Sequence, residues 1–220
     1  MSQLNHSPLS EHPFWPAPVA ASPINATVPL PGSKSLTNRE LVLSALAAEQ
    51  TLLTAPLHSR DSALMIEALR SLGTRIDENV TGDLLVTPKP LEGPATINCG
   101  LAGTVMRFVP PMATLATGEI TFDGDAAARK RPMHTTISSL RALGVEVDDG
   151  GTGSLPFTVN GTGVVEGGEL VIDASASSQF VSGLLLSAPR FEKGLTLRHE
   201  GEHLPSLPHI EMTLDRKSTR

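Results

Sequence analysis

Lys34 stands between two serines in Pro31-Gly32-Ser33-Lys34-Ser35, and Arg39 follows it by five residues, about one helical turn further on. Arg107 follows a second run of small residues, Gly100-Leu101-Ala102-Gly103-Thr104, in a similar position. A third run, Ser175-Ala176-Ser177-Ser178-Gln179, has no cation. Its Ser177, Ser178 and Gln179 instead offer three consecutive hydrogen-bonding side chains before a wholly apolar stretch, more than a helix cap needs. Arg129-Lys130-Arg131 form a basic triplet directly ahead of Pro132, a helix opener, and an arginine fork matches phosphate or carboxylate in shape. Each small-residue run lies where a strand gives way to a helix. Free backbone N–H groups and the positive end of the helix dipole favour a bound anion at such a corner. The chemistry these residue types can do together is capture of small phosphorylated or carboxylated molecules.

Other chemistries are disfavoured by spacing and composition. Gly32-Ser33-Lys34-Ser35 lacks the second glycine of a nucleotide-binding P-loop, because Thr27 stands five residues before Gly32. His199 and His203 are separated by Gly201, and with Pro205 following and no third ligand evident they read as loop histidines, not metal ligands. Cys99 is the one cysteine of 220 residues, so no internal disulfide forms, and a reducing, cytoplasmic compartment fits best. A net charge of -6 argues against broad binding to nucleic acid or anionic membrane. Three per cent aromatic residues leave little to stack on bases. No window reaches the roughly 18 apolar residues of a membrane span, and no basic patch and apolar run open the chain.

The elements that must position these side chains come in repeats. Leu69-Arg70-Ser71-Leu72-Gly73 returns as Leu140-Arg141-Ala142-Leu143-Gly144, which implies a structural unit of about 70 residues. Each copy ends a helix. In the first, Met65, Ala68, Leu69 and Leu72 form an apolar stripe, with Asp61 expected as the cap. In the second, Met133, Ile137 and Leu140 do the same after Pro132. Upstream of these helices, three passes of strand, small-residue turn, apolar helix and strand are expected: strands at 26–28, 95–97 and 170–172, helices at 38–48, 105–115 and 180–187, and return strands at 51–54, 119–123 and 195–198. Paired strands at 74–77 with 84–87 and at 145–148 with 157–160 complete two βαβαββ units of an α/β (α+β) fold. The third unit enters its second helix at Pro208, and the apolar period is expected to stop at Asp215.

Taken in order, Pro31-Gly32-Ser33-Lys34-Ser35-Leu36-Thr37-Asn38-Arg39, Gly100-Leu101-Ala102-Gly103-Thr104-Val105-Met106-Arg107, Gly124-Asp125 with Arg129-Lys130-Arg131-Pro132, and Ser177-Ser178-Gln179-Phe180 resemble the successive signatures of the 5-enolpyruvylshikimate-3-phosphate synthase family. That resemblance implies two similar domains, each of three βαβαββ units, closing on substrates between them. Residues 1–18 would be a disordered tail, 19–28 a strand region crossing to the second domain, 29–215 the N-terminal domain with its third unit truncated, and 216–220 a tail outside the family pattern. By motif position, Ser35, Arg39, Ser177, Ser178 and Ser206 would hold shikimate-3-phosphate, Lys34, Gly103 and Arg131 would hold phosphoenolpyruvate, and Gln179 would touch both. The enolpyruvyl group would pass to the 5-hydroxyl with neither metal nor organic cofactor, in a full-length enzyme expected to be monomeric. The general base would belong to the second domain, so an inactive half that only binds shikimate-3-phosphate is the alternative for the isolated chain. The related UDP-N-acetylglucosamine enolpyruvyl transferases usually have Lys-Asn where Lys34-Ser35 stands. Leu101 replaces an asparagine common in its turn, Pro110-Pro111 are expected to kink a helix, and His209 stands where many members have tyrosine.

Overall fold

The computed structural model describes residues 17–28 and 30–218, in two units divided after Leu30. In the first unit the described residues form neither helix nor strand and are exposed. Residues 26–28 therefore depart from the expected strand. They belong to none of the three sheets, and a strand without a neighbour leaves its N–H and C=O groups to water. The expected tail lies, over residues 1–16, outside the described residues.

The second unit, from Pro31, holds the repeats. The first comprises α1 (Lys34–Ala45), β1 (Thr51–Leu53), α2 (Arg60–Ser71), β2 (Arg75–Glu78) and β3 (Leu84–Thr87). The second, complete, comprises β4 (Ala95–Asn98), α3 (Gly103–Ala113), β5 (Thr117–Asp123), α4 (His134–Ala142), β6 (Glu146–Asp148) and β7 (Phe157–Thr162). The third contributes β8 (Gly168–Ile172), α5 (Ser178–Ser187), a short 3-10 turn (Ala188–Arg190), β9 (Leu195–His199) and α6 (Leu207–Ser218). His199 thus closes a strand instead of lying in a loop.

The sheets repeat as the sequence does. The order β1-β3-β2 recurs as β5-β7-β6, antiparallel in both, and β4 adds to β5 in parallel. The pair β8-β9 is parallel in the same way. Parallel neighbours require a crossover, which α3 and α5 supply.

The core lies around α1, α3 and α5, which pack on one another. Every residue of α3 from Thr104 to Ala113 is buried, the cation Arg107 among them. Side-chain contacts set the direction of the three helices. Asn38 Nδ2 in the second turn of α1 donates to Thr104 Oγ1 in the first turn of α3, at 2.6 Å. At the opposite end, Leu46, Leu115 and Arg190 line a common cavity of about 610 Å³. All three helices therefore begin at one end of the core. The helix α3 runs on through Pro110 and Pro111, so the prolines do not end it. The missing Pro111 N–H frees the Arg107 carbonyl, and Gly183 of α5 approaches it so closely that a Cβ there would lie 2.1 Å from the oxygen.

Two expectations about helix ends are corrected. The cap of α2 is Ser59, in a reciprocal capping box with Ser62, and not Asp61. Residues 216–218 continue α6, with Arg216 Nε 3.7 Å from Glu40 Oε1, where the apolar period had suggested an end at 215. Arg and Lys are good helix formers, so a helix outlasts its apolar stripe.

Candidate functional site

The α1 corner is opened by Ser33, whose side chain accepts from Leu36 N as the N-cap. Lys34 follows with its side chain half exposed, and its Nζ lies 3.0 Å from Asp61 Oδ2. Ser35 is half-buried. Arg39 is different: at 2% exposure it points inward, its guanidinium packed over the Phe108 ring. It donates to Ser35 O at 2.9 Å, Thr213 Oγ1 at 2.7 Å, Ser182 Oγ at 3.1 Å and His209 O at 3.0 Å. Its fork is filled by protein acceptors, so in this structure it holds Ser35 and ties α1 to α5 and α6.

At the α3 corner the backbone is left open, because Ala102 offers no side-chain cap to the first N–H groups. Gly103 is where the site converges. A Cβ placed on it would lie 3.1 Å from Gln179 Oε1, 3.3 Å from Arg131 Nη1 and 3.4 Å from Arg107 Nη1. The loop after β5 crosses behind this turn: Asp125 N donates to Gly100 O at 2.9 Å, and a Cβ on Gly124 would meet that same oxygen at 2.6 Å. Arg60 Nη2 donates to Asp125 Oδ2 at 2.7 Å, fastening α2 to the loop. Leu101, the departure from the family pattern, is 42% exposed, and its carbonyl accepts from Arg131 Nη1 at 3.2 Å.

The basic triplet divides. Arg129 gives Nε and Nη2 to Asp123 at 2.8 and 2.6 Å, Lys130 is exposed, and Arg131 alone turns to the Gly103 corner. Just after Arg131 the chain is tied to the next loop, since Met133 N donates to Gly153 O and the Asp149 carboxylate accepts from Gly151 N and Gly153 N.

At the α5 corner Ser177 is the N-cap, accepting from Gln179 N at 3.2 Å; Ser178 is buried and Gln179 reaches Gly103. Just upstream, Ala174 N donates to His199 Nδ1 at 3.2 Å. Ser206 is exposed, with a left-handed φ of 53°. It joins the cluster indirectly, as His209 N donates to Ser206 O while the His209 carbonyl accepts from Arg39. Among the described residues, no group of His, Cys, Asp and Glu could hold a metal ion.

Positive charge dominates the convergence. Arg107 is 4% exposed, its Nη1 donates to Gly103 O at 3.3 Å, and its guanidinium lies over the Phe180 ring. Burial, with the Arg131 charge beside it, lowers its pKa to about 10; burial alone lowers that of Arg39 to about 10. Among the described residues neither is within ion-pair distance of a carboxylate. Sequence reasoning named Arg107 near its turn but left it out of the site, although its i+4 spacing from Gly103 was the available signal. It missed Asp61 as the Lys34 partner, taking that residue for a cap.

Comparison with known proteins shows the family. A model of the family described as EPSP synthase (3-phosphoshikimate 1-carboxyvinyltransferase) matches residues 19–216. A 3-phosphoshikimate 1-carboxyvinyltransferase of Kocuria rhizophila is 57% identical over 91% of this chain and 48% of its own length. One of Mycobacterium ulcerans is 56% identical over 91% and 47%. The chain spans about half the length of the curated relatives it matches. Solved structures of EPSP synthase from Acinetobacter baumannii superpose with a TM-score of 0.68 at 27% identity, over 82% of this chain and 41% of theirs. In fold, in motif order and in relatives, the chain belongs to the EPSP synthase (3-phosphoshikimate 1-carboxyvinyltransferase) family.

Proposed function

We propose that this chain binds shikimate-3-phosphate and phosphoenolpyruvate and serves transfer of the enolpyruvyl group between them, a step of aromatic amino-acid synthesis. The observation that supports it most is the meeting of Arg131, Gln179 and Arg107 around Gly103, at a helix start whose N–H groups have no side-chain cap. Lys34, Gly103 and Arg131 are assigned to phosphoenolpyruvate, Ser35, Ser177, Ser178 and Ser206 to shikimate-3-phosphate, and Gln179 to both. Arg39 is assigned to shikimate-3-phosphate with the serines, and it also holds the Ser35 carbonyl.

In this reading the 5-hydroxyl of shikimate-3-phosphate adds to C2 of protonated phosphoenolpyruvate, and phosphate then leaves the tetrahedral intermediate. Lys34 and Arg131 neutralise charge on the reacting group from fixed positions, which lowers the barrier without reorganisation at the moment of reaction. Asp61 holds the Lys34 ammonium until a ligand competes for it. Metal and organic cofactor have no part in the reading. It puts the protein in the cytoplasm, on the strength of a lone, buried thiol at Cys99; among the described residues no helix is long and apolar enough to cross a membrane. Titration calorimetry of the 220-residue chain with shikimate-3-phosphate, then phosphoenolpyruvate, tests the assignment. Binding that Arg131→Ala and Gln179→Ala both weaken supports it, and binding indifferent to both sinks it.

A further inference from the structure

Arg107 has no assigned role in that reading, yet it is the most deeply buried cation at the convergence. Four observations bear on it. Its side chain is over nine-tenths buried, with Nε among the buried nitrogens that have no hydrogen-bond partner among the described residues. Among the described residues its Nη1 reaches Gly103 O at 3.3 Å and otherwise only Met106 Sδ, at 3.8 Å. The charged neighbour that matters is Arg131, of like sign, and Cys99 is kept a neutral thiol by burial, its pKa raised to about 12. Finally, its guanidinium covers the ring of Phe180, the residue after Gln179, so one side chain braces both the α3 and the α5 corners.

A buried cation facing another cation is unfavourable in a folded chain, because desolvation is not offset by an opposite charge. A purely structural role would be better filled by an apolar side chain of the same length. The arrangement becomes favourable when an anion sits in front of Gly103, where its charge offsets the repulsion between the Arg131 guanidinium and the buried Arg107 guanidinium behind the turn. We propose that Arg107 is a positioning residue for the phosphoenolpyruvate corner, a buried cation behind Gly103 that sets the Gly103 and Gln179 turns and is balanced by the bound anion. This rests on the functional reading above and deepens it, adding a residue that works through the turn and not by direct contact.

The test compares thermal unfolding of the full 220-residue chain and its Arg107→Met and Arg107→Lys variants, alone, with phosphoenolpyruvate plus shikimate-3-phosphate, and with inorganic phosphate. Without ligand, Arg107→Met is expected to melt above the parent chain. With the substrates, the parent gains stability, whereas Arg107→Met gains little, its apparent affinity down about tenfold as fits loss of a buried charge that the bound anion balances. Arg107→Lys, which keeps the charge but not the fork, recovers part of that gain. An equal gain from inorganic phosphate alone would make the site one for phosphate in general; a gain confined to the substrates would tie it to phosphoenolpyruvate. If Arg107→Met melts below the parent or fails to fold, the charge is structural and the proposal is overturned. It is also overturned if the variant gains as much from substrate as the parent does. A parent chain that gains nothing from any ligand would instead sink the functional reading itself, and this inference with it.

Discussion

Arg129 and Arg131 are two residues apart in one basic run, and the structure gives them different partners. Arg129 is an exposed fork on Asp123, an arrangement that solvent screens and that contributes little. Arg129→Ala is therefore expected to leave phosphoenolpyruvate affinity within about twofold. Arg131→Ala removes a charge-assisted donor from the Gly103 corner and is expected to weaken affinity about tenfold or more. Titration calorimetry of the two variants side by side distinguishes the residues, and equal losses would mean that the triplet acts as a diffuse field. Gly103 gives a complementary case. It begins α3 without a left-handed φ, so alanine suits the backbone there and even favours the helix by up to about 1 kcal/mol. The added methyl would press on Gln179 Oε1, Arg131 Nη1 and Arg107 Nη1 at 3.1–3.4 Å. Gly103→Ala should thus keep or raise the melting temperature while lowering ligand affinity, a pairing that a simple folding defect cannot produce.

The elements transmit their own constraints to the site. Gly183 lets α5 lie against the Arg107 carbonyl of α3, and a Cβ there would stand 2.1 Å from that oxygen and 3.5 Å from Phe108 Cα. Backbone cannot yield as a flexible side chain can, so Gly183→Ala is expected to destabilise the chain by roughly 1–3 kcal/mol in urea unfolding. It should also disturb the Gln179 turn at the start of the same helix. The loop that backs α4 behaves as an acid-labile clasp. Arg141, together with the Gly153 and Gly151 N–H groups, holds the Asp149 carboxyl down to about 2, below its ordinary value. A depressed carboxylate contributes stability above its unfolded pKa, near 4, and that contribution is lost as pH falls from about 4 through about 2. Asp149→Asn should therefore lower stability at neutral pH and flatten the decline between pH 4 and 2, as measured by melting across that range. The decline that remains belongs to other depressed carboxyls, among them Asp83, Asp123 and Asp173.

At the scale of the molecule, the three corners gather at one end of the core but stay open to water, with the Lys34 side chain 51% exposed. Charges in such a setting are screened, and transfer needs them desolvated. The 220-residue chain by itself is expected to bind its phosphorylated ligands without turning them over, and steady phosphate release from the purified chain would refute this. The sequence alone determined the unit, because apolar periodicity, turn residues and the Leu-x-x-Leu-Gly ending are local properties; β3 appears at Leu84–Thr87 as expected. Its one systematic error was to start α1, α3 and α5 two to four residues late. The opening turns of those helices carry Lys34, Gly103 and Ser178-Gln179, which the functional reading puts at the site and which lack the apolar period that marks a core-facing helix. The sequence also marked the candidate anion corners, since helix starts, serines and cations can be read along the chain. Only the tertiary structure decided which cations face the corner. It buried Arg39 against Thr213, 174 residues away, gave Lys34 to Asp61 and Arg129 to Asp123, and left Arg107 and Arg131 together at Gly103. Such choices depend on acceptors brought close by packing between distant segments, and the energy of a charge is set by that surround, not by its neighbours in sequence.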